Sequence, residues 1–261
     1  MKKEQILQTA REYYDPEIVT IGDIPDFLVP EKPTFKPSQK DHVTALICAS
    51  LQYNFWYQTS LHRLNNVNSQ VIKELVQKEM DSKEAHESYN DMKPGIIDAL
   101  MKSGVKHLDK RIESINEVFS LDLEVYQHYN TNVDASIRMI ETLPSFQKDP
   151  FFKKGAFALQ FSAELQGDLL DFVVPADYQI PKVLQLLGII TYEPSLLYKI
   201  ESDVFLQEGS KEELAIRSAT ILACDNIAKQ NKCTTQEVDA WLFNQKDTIV
   251  SKHHLCDTTN Y

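Results

Sequence analysis

Apolar residues recur every three or four positions along most of the chain beyond Asp41, the spacing of helices that bury one face. HVTALICASLQYNFWY, GIIDALMKSG, LDKRIESINEVF, DASIRMIETL and KKGAFALQFSAEL all read this way, and Gly104 and Gly188 stand where helices stop. Two helix starts carry a capping box. Ser210 with Glu213 opens ELAIRSATILACDNIAKQ, and Thr234 with Glu237 opens VDAWLFNQ. Strand alternation is scarce. Seven glycines in the whole chain also fit poorly with many tight hairpins. Before Asp41 a first helix is predicted over about 3 to 14. Pro16, Pro25, Pro30, Pro33 and Pro37 then crowd a stretch too proline-rich for helix or central strand. The pattern predicts a mainly α, multi-helical globular domain over 41–261, with a division into lobes 41–143 and 144–261 left open. Residues 1–40 form a helix and an extended Pro-rich wrap around it.

Composition narrows the function classes. With 261 residues, 43% of them hydrophobic, the chain can bury a large core. No apolar run approaches membrane-spanning length, and MKKEQILQTA lacks the apolar centre of a signal peptide, so the expected location is the cytoplasm. Cys48, Cys224, Cys233 and Cys256 are widely spaced without a CxxC and read as reduced thiols. A net charge of −11 argues against a protein that grips long nucleic acids, which must neutralise phosphates. His253, His254 and Cys256 lie close in sequence, but no spaced motif offers a fourth ligand, so no metal and no cofactor are expected.

The segment PADYQIPK, residues 175–182, sets an aspartate between apolar DFVVPA and IPKVLQLLG. The ordinary explanation is an N-cap. Pro181 speaks against it, since proline prefers the first helical position; that places the cap at Ile180, the helix over PKVLQLL, and Asp177 in the loop before it. A carboxylate so flanked is partly desolvated and needs a partner or a chemical task.

FFKKGAFALQFSAEL, DLLDFVVPADYQIPKVLQLLGIITYEPSLL, GSKEELAIRSATILACDNI and SKHHLCDTTNY, in this order, resemble the queuosine salvage proteins, the queuosine 5′-phosphate N-glycosylase/hydrolase family. That family typically shows a KRAQ helix, a DYR-x-PQ segment, a GS-x-E-E-x-EIRA helix and an HH-x-x-T-x-x-Y tail. The resemblance covers about the last 120 residues; earlier, only YNFWY is similar to the family's N-F-x-x-W element. It implies an all-α fold with a core similar to helix-hairpin-helix DNA glycosylases, and hydrolysis of the N-glycosidic bond of a queuosine-type nucleotide or nucleoside, releasing queuine.

Cleaving C1′–N builds positive charge on the ribose and negative charge on the departing base. Matched to the motif, Asp177 stabilises the oxocarbenium-like sugar and orients or deprotonates water, and Lys154 supplies a cation; Lys153 is adjacent, so the register is open by one. The resemblance further assigns substrate binding to Asn54, Phe55 and Trp56, whose aromatic faces suit a flat base, to Asp168, and to Tyr178, Lys182, Arg217 and His254. Each has an ordinary alternative: core packing for the aromatics, a loop position for Asp168, a surface pair with Glu213 for Arg217, a solvated helix start for Lys154. Several family positions differ. Gln179 and Lys182 replace an arginine and a glutamine, Lys154-Gly-Ala-Phe157 replaces KRAQ, and the tail lacks an arginine around Leu255–Asp257. Without those guanidinium forks a phosphate is held less firmly. The expected partner is therefore a small nucleotide or nucleoside, with no membrane and no stable nucleic acid; a base glycosylase acting on DNA or RNA and a non-catalytic binder of a modified base are the alternatives.

Overall fold

The computed structural model describes residues 1–25, 42–57, 59–63, 68–81, 88–128, 133–245 and 251–261. Most of the Pro-rich stretch lies outside these. The fold is mainly helical. Helix α1 (Lys3–Tyr13) is followed by the short strand β1 (Val19–Ile21) and by α2 (His42–Leu51). All ten residues of α2 are buried, as suits a helix that is apolar all round. Around it pack α3 (Ser69–Asp81), α5 (Leu108–Val118), α6 (Leu123–His128) and α9 (Lys153–Gln166). Helices α4 (Lys93–Ser103), α7 (Val133–Ile140) and α8 (Pro144–Gln147) close this side.

The second cluster is built on α12 (Lys211–Asn231), against which pack α1, α10 (Gln179–Leu186) and α13 (Thr235–Gln245). β1 pairs antiparallel with β4 (Ile190–Tyr192), Thr20 facing Thr191, which leads the chain from α10 into α11 (Pro194–Glu201). β2 (Trp56–Tyr57) pairs with β3 (Thr59–Arg63), and β5 (Phe205–Leu206) pairs in parallel with β6 (Leu255–Cys256), binding the C-terminal tail to the body.

Both capping residues accept the expected bonds: Ser210 Oγ takes the Glu213 N–H at 3.3 Å, and Thr234 Oγ1 takes the Glu237 N–H at 3.2 Å while Glu237 accepts the Thr234 N–H at 2.7 Å. Gly104 ends α4 in the left-handed conformation that costs glycine nothing. Two boundaries differ from the pattern. α2 stops at Leu51 instead of running through YNFWY, because Asn54 turns into the left-handed region (φ 52°) and gives its N–H to the Tyr261 carbonyl at 3.2 Å. α10 begins at Gln179, two residues before Pro181. A proline in the first turn removes only an N–H that has no intrahelical acceptor, so the helix tolerates it there.

Candidate active site

The backbone that carries Asp177 is tied down from three helices. Gln160 Nε2 on α9 donates to the Val173 carbonyl at 3.1 Å, Thr235 Oγ1 on α13 to the Phe172 carbonyl at 2.8 Å, and Arg217 Nε on α12 to the Ala176 carbonyl at 3.1 Å. Asp177 itself is half-buried in front of α10, and its Oδ1 accepts the Gln179 N–H at 2.7 Å. It precedes the cap position, which Tyr178 occupies without a side-chain cap bond. One carboxylate oxygen thus organises the helix start, and the other makes no hydrogen bond with another described residue.

Lys153 and Lys154 open α9 beside this loop, where buried Asp149 fixes their position: Oδ2 accepts the Lys153 N–H at 2.9 Å and Oδ1 the Phe151 N–H at 3.2 Å. Phe152 is left-handed (φ 53°) and lays its ring over Gly155 so closely that a Cβ there would fall 2.1 Å from the ring. That ring fills the space in which the family motif has its arginine. The two lysines diverge. Lys153 Nζ donates to the Gln52 carbonyl at 2.6 Å; burial pulls its ammonium below its ordinary value, and Asp177 is the strongest charge pulling it back up. Lys154 points the other way, its Nζ 4.6 Å from the Tyr53 ring and 5.9 Å from that of Phe146, with no hydrogen-bond partner among the described residues. Burial first, then the charges of Lys153 and Arg111, pulls Lys154 down to about 7. Lys154 thus sets its amine among aromatic rings, while the charge of Asp177 acts on its neighbour Lys153.

This has a measurable consequence. An unfolded Lys154 titrates near ~10.4, so between about pH 7 and that value the unfolded chain binds a proton that the folded chain does not. Stability contributed at this position therefore rises with pH across that window, and below it the buried ammonium is a cost. Lys154→Met is expected to stabilise the protein by ~1–3 kcal/mol at about pH 6.5, with the gain shrinking toward about pH 9.5. Denaturant melts of both proteins at the two pH values check it; a gain that does not change with pH would assign the effect to packing alone.

The remaining predicted residues divide into three groups. Asn54, Phe55, Tyr178 and His254 meet at the C-terminal tail. Asn54 Nδ2 donates to Asp257 at 2.9 Å and lies 3.0 Å from His107 Nε2, and the Tyr178 hydroxyl accepts the Phe55 N–H at 3.4 Å. The Tyr178 ring lies 4.5 Å from that of His253, and His254 Nε2 is 3.3 Å from the Tyr261 hydroxyl. Burial, then the neighbouring His253 and Arg217, holds His254 down at about 3, so it is a neutral imidazole. Asn54 is fully buried, and its amide is engaged with the tail. Arg217 is buried in a network of its own, 2.6 Å from Asp149 and 3.2 Å from Glu213, rather than paired at the surface. Burial alone would lower its guanidinium; the two carboxylates raise it instead. Lys182 is buried on α10. Asp168 is exposed just past the C-terminal end of α9, some ~20 Å along that helix from Lys154. The side chain of Trp56 lies outside the described part of the structure.

Sequence reasoning missed a third carboxylate. Asp239 on α13 is half-buried, and burial followed by the charge of Asp177 pushes it up to about 7, with Lys153 opposing, Glu164 adding and Lys73 opposing. Asp239 is in turn among the charges acting on Lys153. No ion pair closes among Asp177, Lys153 and Asp239, although the charge of each acts on another of the three. A groove between α3 and α9 is lined by Lys73, Phe161 and Glu164. Lys73 Nζ lies 4.1 Å from the Phe161 ring and 5.4 Å from that of Phe157, the residue at the end of the altered KGAF motif. Carboxylates, a lysine and aromatic side chains are the kinds of group that cleavage of an N-glycosidic bond draws on. Among the described residues no three His, Cys, Asp or Glu side chains are grouped to hold a metal, and no helix is long and apolar enough to cross a membrane.

Residues 154–257 match the family model of queuosine salvage proteins. A queuosine 5′-phosphate N-glycosylase/hydrolase of Sphaerobacter thermophilus is 34% identical over 74 residues, 28% of this chain and 23% of that protein. One of Dictyostelium discoideum is 28% identical over 102 residues, 36% of this chain and 32% of that protein. The matched stretches thus span less than a third of the relatives' own length, and the family match holds Lys154, Asp168, Asp177, Lys182, Arg217 and Asp239.

Proposed function

We propose that the chain hydrolyses the N-glycosidic bond of a queuosine-type nucleotide or nucleoside, releasing queuine, within a helical core similar to those of helix-hairpin-helix glycosylases. The observation that carries this is Asp177: a half-buried carboxylate inside the family-matched stretch, facing Lys153 without being neutralised by it. As C1′–N lengthens, the ribose becomes cationic, and a fixed carboxylate stabilises it far more in that low-dielectric setting than water would. The free oxygen of Asp177 is also suited to hold the attacking water. Lys153, anchored on the Gln52 carbonyl, offers positive charge to the departing base. Phe157 and Phe161 form the aromatic approach along which a flat base enters.

The sugar end of the substrate is the weak end. Arg217 is committed to Asp149 and Glu213, and the position of the family's first arginine is closed by the Phe152 ring, so phosphate recognition falls to lysines. Lysine binds phosphate as a point charge and salt screens it. We expect queuine release from queuosine 5′-phosphate and a measurable rate on queuosine itself. The preference for the phosphorylated substrate should narrow as ionic strength rises, while guanosine 5′-phosphate stays uncleaved. Single-turnover release assays with the three compounds at low and high salt test this; cleavage of guanosine 5′-phosphate at an equal rate would refute recognition of the modified base.

A further inference from the structure

We propose that Asp239 is the proton donor to the departing base, completing with Asp177 a pair of carboxylates that divide the acid and base work of one hydrolysis. The inference rests on the N-glycosidase reading above and adds a catalytic residue to it. The placement of α13 carries it. α13 packs directly on α10, the helix that Asp177 introduces. Its first turn is fixed to the same layer, since Thr235 holds the Phe172 carbonyl and Gln236 Nε2 donates to the Gln160 carbonyl of α9 at 3.0 Å. Asp239, one turn beyond Gln236, therefore lies on the face of α13 turned toward α9. The charges that act on it are those of Asp177 from the loop before α10, Lys153 and Glu164 from α9, and Lys73 from α3; two of these, Lys73 and Glu164, line the groove. Asp239 makes no hydrogen bond or ion pair with another described residue, although Lys153 and Lys73 are both near. A carboxylate left ionised in such company would be expected to close on one of them. The half-buried position and the neighbouring Asp177 charge favour the protonated form instead, in agreement with the rise to about 7.

The chemistry asks for such a group. A 7-deazapurine has no ring nitrogen at position 7, so acid assistance must reach N3, or N9 itself as the bond breaks. In the step, C1′–N9 breaks and its electron pair stays with the base. The Asp239 carboxyl proton passes to that base, and a water oxygen bonds to C1′ as its proton passes to Asp177. Base and ribose 5′-phosphate leave as neutral base and free sugar hydroxyl, Asp239 is left ionised and Asp177 protonated, and one proton exchange through water restores both. No other reactant is needed.

The test is the pH dependence of kcat on queuosine 5′-phosphate, followed by queuine release, for the whole chain and two variants. The unaltered protein should lose rate as pH rises through about 7, where Asp239 loses its proton. Asp239→Asn should melt close to the parent, lose ~10²-fold or more in kcat, and no longer show that alkaline fall, because an amide can hydrogen-bond but cannot transfer a proton. Asp239→Glu, which keeps an acid, should recover part of the rate with the fall displaced along the pH axis. An Asp239→Asn protein with kcat within a few-fold of the parent, or one that is slow but keeps the same alkaline fall, would overturn the proposal while leaving the N-glycosidase reading intact. If Asp239→Asn fails to fold, Asp239→Glu decides alone: an unmoved alkaline fall overturns the assignment. Absence of queuine release by the unaltered protein would overturn both.

Discussion

Asp177→Asn is expected to fold and melt like the parent while losing ~10²-fold or more in kcat on queuosine 5′-phosphate. The two halves of this result come from the two oxygens. Oδ1 accepts the Gln179 N–H at 2.7 Å, and an asparagine oxygen can accept the same bond, so the start of α10 survives the exchange. The backbone leading to it is independently held through Phe172, Val173 and Ala176. What the amide cannot do is carry negative charge beside a cationic ribose. Because that charge exists only as the bond breaks, the loss should fall on kcat with little change in KM. Circular dichroism and thermal melting establish the fold, and single-turnover release of queuine gives the rate. Unchanged turnover would remove Asp177 from the chemistry. A variant that melts early with turnover intact would reduce the residue to a helix-entry device.

The two sides of Asp177 show what could be read in the sequence. Capping boxes at Ser210 and Thr234 and the stop at Gly104 are local signals, and the structure places helix ends where they predict. That Asp177 precedes a helix without being its cap was also legible, because Pro181 restricts the register; the start at Gln179 was not, since a proline is admissible anywhere in a first turn. What escaped depended on distant partners. α2 ends early because Asn54 is held by Asp257, 203 residues away. A motif match chose Lys154, yet adjacent helical residues point about 100° apart. Only the placement of α9 decides that Lys153 reaches the Gln52 carbonyl while Lys154 turns to Tyr53 and Phe146. Asp239 carries no local signature at all. It matters because α13 packs on α10 and because α3 and α9 bring Lys73 and Glu164 to it, relations that no periodicity contains.

Arg217 marks the same boundary, and replacing it should produce the largest loss of stability. Its guanidinium is 1% exposed and is shared among Asp149 at 2.6 Å, Glu213 at 3.2 Å and the Ala176 carbonyl at 3.1 Å, with its plane 4.3 Å from the Tyr261 ring centre and 4.7 Å from that of Phe151. Arg217→Met strands two buried carboxylates, for which the cost is ~3–5 kcal/mol, a large share of the stability of an ordinary domain. Asp149 then has to retain the α9 cap without its counter-charge, Ala176 is released beside Asp177, and the tail loses the surface on which Tyr261 rests. The expected result is a strongly destabilised protein with impaired turnover on queuosine 5′-phosphate and queuosine alike. Adding Asp149→Asn and Glu213→Gln should recover much of the stability, because the unpaired charges are gone, and little of the turnover, because the Ala176 carbonyl still has no donor. A direct role in phosphate binding predicts the opposite: Arg217→Met would remain stable and lose activity selectively on the phosphorylated substrate. Melting curves of the single and triple variants, set beside kcat/KM for nucleotide and nucleoside, separate an arginine that positions the catalytic loop from one that holds the substrate.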